Sequence, residues 1–259
     1  MKRYKGYLID LDGTIYQGKI KIPAAKRFIE RLQKNNIPFL FVTNNTTKHP
    51  KDVVKNLAEN HDIFVTVDNV YTAGQATAEY ISADADKKQL GKTAYVIGEN
   101  GLKGLINQAN FDIYTENPNY VIVALDRDLT YQKLAQAVLY VNQGAKFIGT
   151  NADTLIPSTE GMLPSAGALI DSVRYATGIN PTIIGKPNDL IVKNGARKLN
   201  LADDEVVMVG DNYNTDILAG INANVDTLLV YSGVSTKDQI KNVAKKPTHE
   251  IDSLDDWNV

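Results

Sequence analysis

Tyr7-Leu8-Ile9-Asp10-Leu11-Asp12-Gly13-Thr14 is the stretch on which the fold of this chain turns. Tyr7-Leu8-Ile9 is a short apolar run of the kind that forms a buried parallel strand, and Gly13 marks the turn after it. Two carboxylates two positions apart fall on the same side of an extended chain, where they must share a proton or hold a cation between them. The use proposed for such a pair is phosphoryl transfer through an aspartyl phosphate, with Asp10 as nucleophile and Asp12 as general acid and base. A carboxylate that attacks a phosphate dianion is repelled by it, so the same site needs Mg²⁺ and a fixed cationic side chain. The plainer alternative is a strand ending in an ordinary Asp-Gly turn.

Outward from this stretch, three more apolar runs end in polar groups. Residues 23–36 read as a helix, with Pro23 in its first turn and Ala25, Phe28, Ile29 and Leu32 at helical spacing. The run 37–42 is a second strand, delivering Thr43-Asn44-Asn45 at its carboxyl end, where ligand groups collect in a parallel sheet. Thr43 and Asn44, with Asn45 beside them, can hold phosphate oxygens, or this stretch merely caps the helix beginning at Pro50. Residues 182–184 resume core character and end in Gly185-Lys186-Pro187, which sets Lys186 as a point charge for a phosphate, or as one more solvated lysine. Residues 205–209 form another buried strand that stops at Gly210-Asp211-Asn212-Tyr213-Asn214-Thr215-Asp216. Asp211 and Asp216 add hard oxygen ligands, which suit Mg²⁺.

The rest of the chain alternates. A strand at 70–72 and a helix at 73–80 finish the first half of a core, and the run Asp84-Ala85-Asp86-Lys87-Lys88 breaks the apolar pattern. Strands at 94–97, 120–125 and 146–148 with helices at 102–108 and 131–143 then predict a second α/β layer. A polar loop over 150–164 leads into a helix at 165–176. Helices at 188–199, 217–223 and 237–245 and a strand at 227–231 complete the set, with Trp257 at the core edge. The expected division is 1–82 and 181–259 for one α/β core and 83–180 for an inserted α/β domain.

Composition excludes several classes. The 259 residues are 43% hydrophobic and 22% charged, with a formal net charge of -2, which gives no electrostatic case for nucleic acid or an anionic membrane. There are no cysteines, so disulfides, thiolate catalysis and cysteine-based zinc sites are absent. His49, His61 and His249 have no metal-motif spacing. No apolar run approaches the ~20 residues of a membrane span, and the short start before the first strand is read as cytoplasmic.

Taken in order, Asp-x-Asp at a strand end, a strand-end Thr, a Lys and a terminal acidic pair resemble the haloacid dehalogenase superfamily. The resemblance implies a Rossmann-like parallel-sheet core in which Asp10 attacks phosphorus and Asp12 protonates the leaving oxygen, then activates water. It also implies that Asp10, the backbone carbonyl of Asp12 and Asp211 bind Mg²⁺, with Asp216 in support, and that Thr43, Asn44 and Lys186 neutralise the phosphoryl group. Asp12 separates the chain from the metal-independent dehalogenases of that superfamily. The α/β insertion looks like the large C2 cap, and Thr43-Asn44-Asn45 with Gly185-Lys186-Pro187 resemble subclass IIA, the para-nitrophenyl phosphatase or NagD-like branch, which acts on small phosphorylated metabolites such as sugar phosphates and nucleoside monophosphates. The branch often has Arg and Asp where this chain has Asn212 and Asn214, and a second Gly where it has Ser165. Substrate selection would fall to cap residues Asp126, Asn151, Asp153, Leu155 and Ile156, and exposed cap faces would support a homodimer. The rivals are a phosphotransferase and a non-catalytic phosphometabolite-binding protein on the same fold.

Overall fold

Apolar runs buried on both faces dictate the centre of the first unit. In the computed structural model, which describes residues 2–158 and 160–259, the chain forms two compact units. One takes the chain up to Thr43, Pro50–Tyr71 and Lys186–Val259; the other takes Asn44–His49 and Thr72–Gly185. Met1 of the expected first part and Thr159 of the expected 150–164 loop lie outside the described residues.

The six-stranded sheet of the first unit runs in the order His249–Ile251, Asp226–Val230, Val206–Gly210, Gly6–Ile9, Phe39–Thr43, Val70–Thr72. Gly6–Ile9 pairs in parallel with Val206–Gly210 on one side and with Phe39–Thr43 on the other. Tyr7 and Ile9 pack in a cluster with Phe28, Phe41, Val209, Val230 and Trp257. Leu8, on the opposite face of the strand, is buried against the helix Leu190–Lys198: a Cβ on Gly195 would stand 3.0 Å from Leu8 Cδ2. Burial of both faces is why these strands read as unbroken apolar runs. The helix Pro23–Lys34 buries Ala25, Phe28, Ile29 and Leu32, the stripe its spacing predicts. Register then lines up the strand ends. Ile9 lies opposite Val209 and Phe41, so the three strands run in the same direction and end, at Ile9, Gly210 and Thr43, on one carboxyl edge.

The second unit has its own parallel sheet, in the order Thr182–Ile183, Lys146–Gly149, Tyr120–Val123, Ala94–Ile97. It differs from expectation in three places. The helix foreseen at 73–80 continues as Ala73–Lys88 and belongs to this unit. Asp84, taken as a break, accepts from Tyr120 Oη at 2.8 Å and pairs with Lys88 at 2.7 Å and with Lys146. Burial raises an acid, but these three donors outweigh it and hold the Asp84 carboxyl at about 2. Thr182–Ile183, assigned by sequence to the core, pairs with Lys146–Gly149 instead, because Gly149 leaves room for it: a Cβ there would meet Ile183 Cδ1 at 2.5 Å. The polar loop contains an antiparallel hairpin, Leu155–Ser158 with Gly161–Pro164.

Candidate active site

The strand Gly6–Ile9 stops one residue before Asp10, whose N–H donates to Val209 O at 2.9 Å. Beyond it the chain turns: Ile15 N donates to Leu11 O at 2.8 Å, and Gly13 takes φ +94°. The two carboxylates of the opening motif therefore do not lie along one extended strand. Asp10 is buried, while Asp12 is exposed on the turn.

Lys186 is 1% exposed and its ammonium donates to three acceptors: Asp10 Oδ1 at 2.5 Å, Asp216 Oδ1 at 2.8 Å and Val42 O at 2.9 Å. Three donors meeting three acceptors make it a fixed charge, not a solvated lysine. Asp216 sits on a single wide π-helical turn, Tyr213–Ile217, and also accepts from Asn212 N at 3.1 Å and Thr215 Oγ1 at 3.3 Å. Asp211, fully buried, accepts from Val234 N at 2.7 Å and Thr14 Oγ1 at 3.0 Å. Two glycines confine it: a Cβ on Gly13 would stand 2.4 Å from Asp211 Oδ2, and one on Gly233 2.0 Å.

Burial and the charge of Asp216 push the Asp10 carboxyl well above its ordinary value, against the pull of Lys186. The same two causes push Asp211 up to about 6. Burial works against the Lys186 ammonium, but Asp10 and Asp216 outweigh it and hold the lysine above its usual range. Asp10, Asp211 and Asp216 each place a carboxylate oxygen within 4.8 Å of the others. Three clustered carboxylates, two of them paired with one ammonium, have an excess of negative charge, and hard oxygens in a dry setting fit a divalent cation. The Asp12 carboxylate is not part of that cluster.

Thr43 is buried as the last residue of its strand. Asn44 and Asn45 belong to the second unit. There Asn44 Nδ2 donates to Asp153 Oδ1 at 3.1 Å and Oδ2 at 3.2 Å, and Asn151 Nδ2 donates to Asn44 O at 3.0 Å. Asn45 Oδ1 accepts from Thr47 N at 2.9 Å, an Asx turn of the kind the capping alternative describes. Among the cap candidates, Asp126 is buried and bound by Lys133 Nζ at 2.8 Å and Asp128 N at 3.0 Å, so it stabilises its own loop. Ile156 packs on the second unit's core, and Leu155 is 52% exposed. Asn212 accepts from Asn214 N at 3.0 Å, so it caps the wide turn, and Ser165 N donates to Thr154 O at 2.9 Å.

Sequence reading missed Thr14 and the segment after the strand Asp226–Val230. Ser232 Oγ donates to Gly13 O at 2.7 Å, and Ser235 Oγ accepts from Tyr213 N at 2.8 Å. The signal was available, since this segment also lies just past the carboxyl end of a strand of the sheet.

Known proteins share this arrangement of chain. A model of the haloacid dehalogenase-like hydrolases matches residues 7–112, and a HAD-hydrolase-like model matches 183–257. The 5'-nucleotidase YutF of Bacillus subtilis is 44% identical over 257 residues, covering 99% of this chain and 98% of its own. An acid sugar phosphatase of Staphylococcus epidermidis is 45% identical over 255 residues, 98% of this chain and 96% of its own. The solved structure of NagD from E. coli K-12 superposes with a TM-score of 0.91 at 32% identity, covering 99% of each chain. With such identity over nearly the whole of both partners, and a parallel α/β fold that superposes on theirs, this chain belongs to the haloacid dehalogenase-like hydrolases, in the NagD-like subclass IIA phosphatase branch.

Proposed function

We propose that this protein is a Mg²⁺-dependent phosphatase that hydrolyses small phosphomonoesters, sugar phosphates or nucleoside monophosphates, through an aspartyl phosphate on Asp10. The observation that carries the reading is the buried Asp10–Lys186–Asp216 constellation at the carboxyl edge of a parallel sheet, with Asp211 beside it. The relatives named a 5'-nucleotidase and an acid sugar phosphatase support the substrate class.

Asp10 attacks phosphorus while Lys186, locked by three acceptors, supplies a positive charge that needs no reorganisation. Thr43, with Asn44 and Asn45 after it, contributes phosphate-oxygen contacts. Asp12, exposed on its turn, gives a proton to the leaving oxygen and then takes one from the water that hydrolyses the aspartyl phosphate. A divalent cation, bound by Asp10, Asp211 and the Asp12 carbonyl with Asp216 in support, would offset the negative charge of the phosphoryl oxygens. The second unit serves as the C2 cap, and substrate choice is assigned to its segment from Asn151 through Asp153 to Leu155 and Ile156. A cytoplasmic homodimer acting on a free metabolite completes the reading. No helix among the described residues is long and apolar enough to cross a membrane.

The test is phosphate release from a panel of small phosphomonoesters, with Mg²⁺ and with EDTA, by wild type and Asp10→Asn. Release that needs Mg²⁺ and falls to background in the variant is expected. Undiminished turnover by Asp10→Asn would remove the nucleophile from this account, and transfer to an acceptor in place of phosphate release would make the protein a phosphotransferase.

A further inference from the structure

The turn that carries Asp12 is pinned at three points. Gly13 O accepts from Ser232 Oγ, and Thr14 Oγ1 donates to Asp211. The third point is Tyr16, whose carbonyl accepts from Gly13 N at 2.7 Å and whose backbone bridges to Asp12. Tyr16 also begins a small hairpin, Tyr16–Gln17 with Ile20–Lys21. Its ring is 7% exposed and lies flat on the imidazole of His61, 3% exposed, with centroids 4.4 Å apart and planes 11° from parallel. His61 is the last residue of the helix Pro50–His61. The other tie between hairpin and helix end, Lys21 with Asp62, joins two half-exposed side chains and constrains little. Tyr16 also belongs to the buried cluster that includes Leu57 and Ile63, and within it the stack is the flat ring contact that holds the outer end of the turn to the helix end.

We propose that His61 is a positioning residue for Asp12: by its stack on Tyr16 it holds the turn from which Asp12 protonates the leaving group. This rests on the reading of Asp12 as the general acid. In the step concerned, an Asp10 oxygen bonds to phosphorus, the bond from phosphorus to the ester oxygen breaks, and the Asp12 proton passes to that oxygen. A phenolate that leaves readily needs little of the proton, whereas a basic one depends on it. Loss of Asp12 alignment therefore steepens the dependence of rate on leaving-group pKa, which a loss of folded protein or of phosphate binding does not.

The experiment measures kcat/KM for a series of substituted phenyl phosphates, alike in shape and differing in phenol pKa, on wild type, Asp12→Asn, His61→Ala and His61→Phe. Asp12→Asn sets the slope for a missing acid. His61→Ala is expected to lose about 10-fold or more on the most basic phenol and under about 3-fold on p-nitrophenyl phosphate, part of the ~10²–10⁴ that general acid catalysis supplies. His61→Phe keeps a flat ring against Tyr16 and is expected to restore the wild-type slope. If Asp12→Asn is steep while His61→Ala runs parallel to wild type, the proposal is overturned. If Asp12→Asn is itself not steep, the general-acid reading fails, and the proposal with it. Should His61→Ala not fold, Tyr16→Leu removes the same stack from its other side and must show the same steepening.

Discussion

Gly13→Ala puts a single methyl group where the site has no space. Gly13 has φ +94°, and an alanine in the left-handed region is disfavoured by roughly 1–2 kcal/mol. The added Cβ would stand 2.4 Å from Asp211 Oδ2, 2.5 Å from Cγ and 2.6 Å from Oδ1. An ordinary contact begins near 3.4 Å, so the carboxylate must retreat by about 1 Å, and the close approach of Gly233 to the same carboxylate limits where it can go. That shift stretches the bonds from Val234 N and Thr14 Oγ1, each a hydrogen bond to a charged group and so about 1.5–3 kcal/mol. The expected total, strain and both bonds together, is about 4–8 kcal/mol of lost stability and, from a displaced cation ligand, about 10²-fold lower turnover. Urea denaturation with and without MgCl₂, alongside phosphate release, reads both, and the stabilisation that wild type gains from MgCl₂ should vanish. Gly18→Ala is the control, since Gly18 also has a positive φ, +59°, but nothing lies within 4 Å of its added Cβ. It should show the backbone strain without loss of turnover. A Gly13→Ala protein indistinguishable from Gly18→Ala in Mg²⁺ response and rate would refute the placement of Asp211 as a ligand.

Lys186→Met leaves Asp10 and Asp216 buried without their shared cation, so a loss of about 3–5 kcal/mol in urea denaturation at pH 7 is expected, together with loss of turnover. Asp84 in the second unit gives a pH signature. Its carboxyl is held at about 2, below the ordinary 3.8, so the stability it contributes is complete above 3.8 and is lost as pH falls through about 2. Asp84→Asn should then cost roughly 1–2 kcal/mol near neutrality, after allowing for solvent screening, and the gap to wild type should narrow below about pH 3. Urea midpoints across that range check the sign.

The four polar stretches were legible because each comes directly after an apolar run too short and too continuous to be anything but a buried strand. Parallel strands in register deliver their next residues to one edge, which was enough to group Asp10, Thr43 and Asp211; Lys186 follows a strand of the other sheet, and its ion pairs with Asp10 and Asp216 are what bring it to them. Charge patterning misled at Asp84, where an acidic break in the sequence is the inner face of a helix that meets Lys88, Lys146 and Tyr120. Thr182–Ile183 read as a core strand, and its pairing with Lys146–Gly149, where the missing side chain of Gly149 leaves room for Ile183, is a tertiary contact that its own composition does not announce.

Sequence by itself determined the fold class, the nucleophile candidate and the residues that share the acidic edge, because periodicity and strand-end position are local properties. Tertiary structure alone decided that Asp10 is buried while Asp12 is exposed, and that Lys186 joins Asp10 to Asp216. It also decided that Asn44 is bound to Asp153, and that Tyr16, four residues after Asp12, stacks on His61. Those pairings join segments as much as 176 residues apart, and no local rule of sequence carries the distance between them.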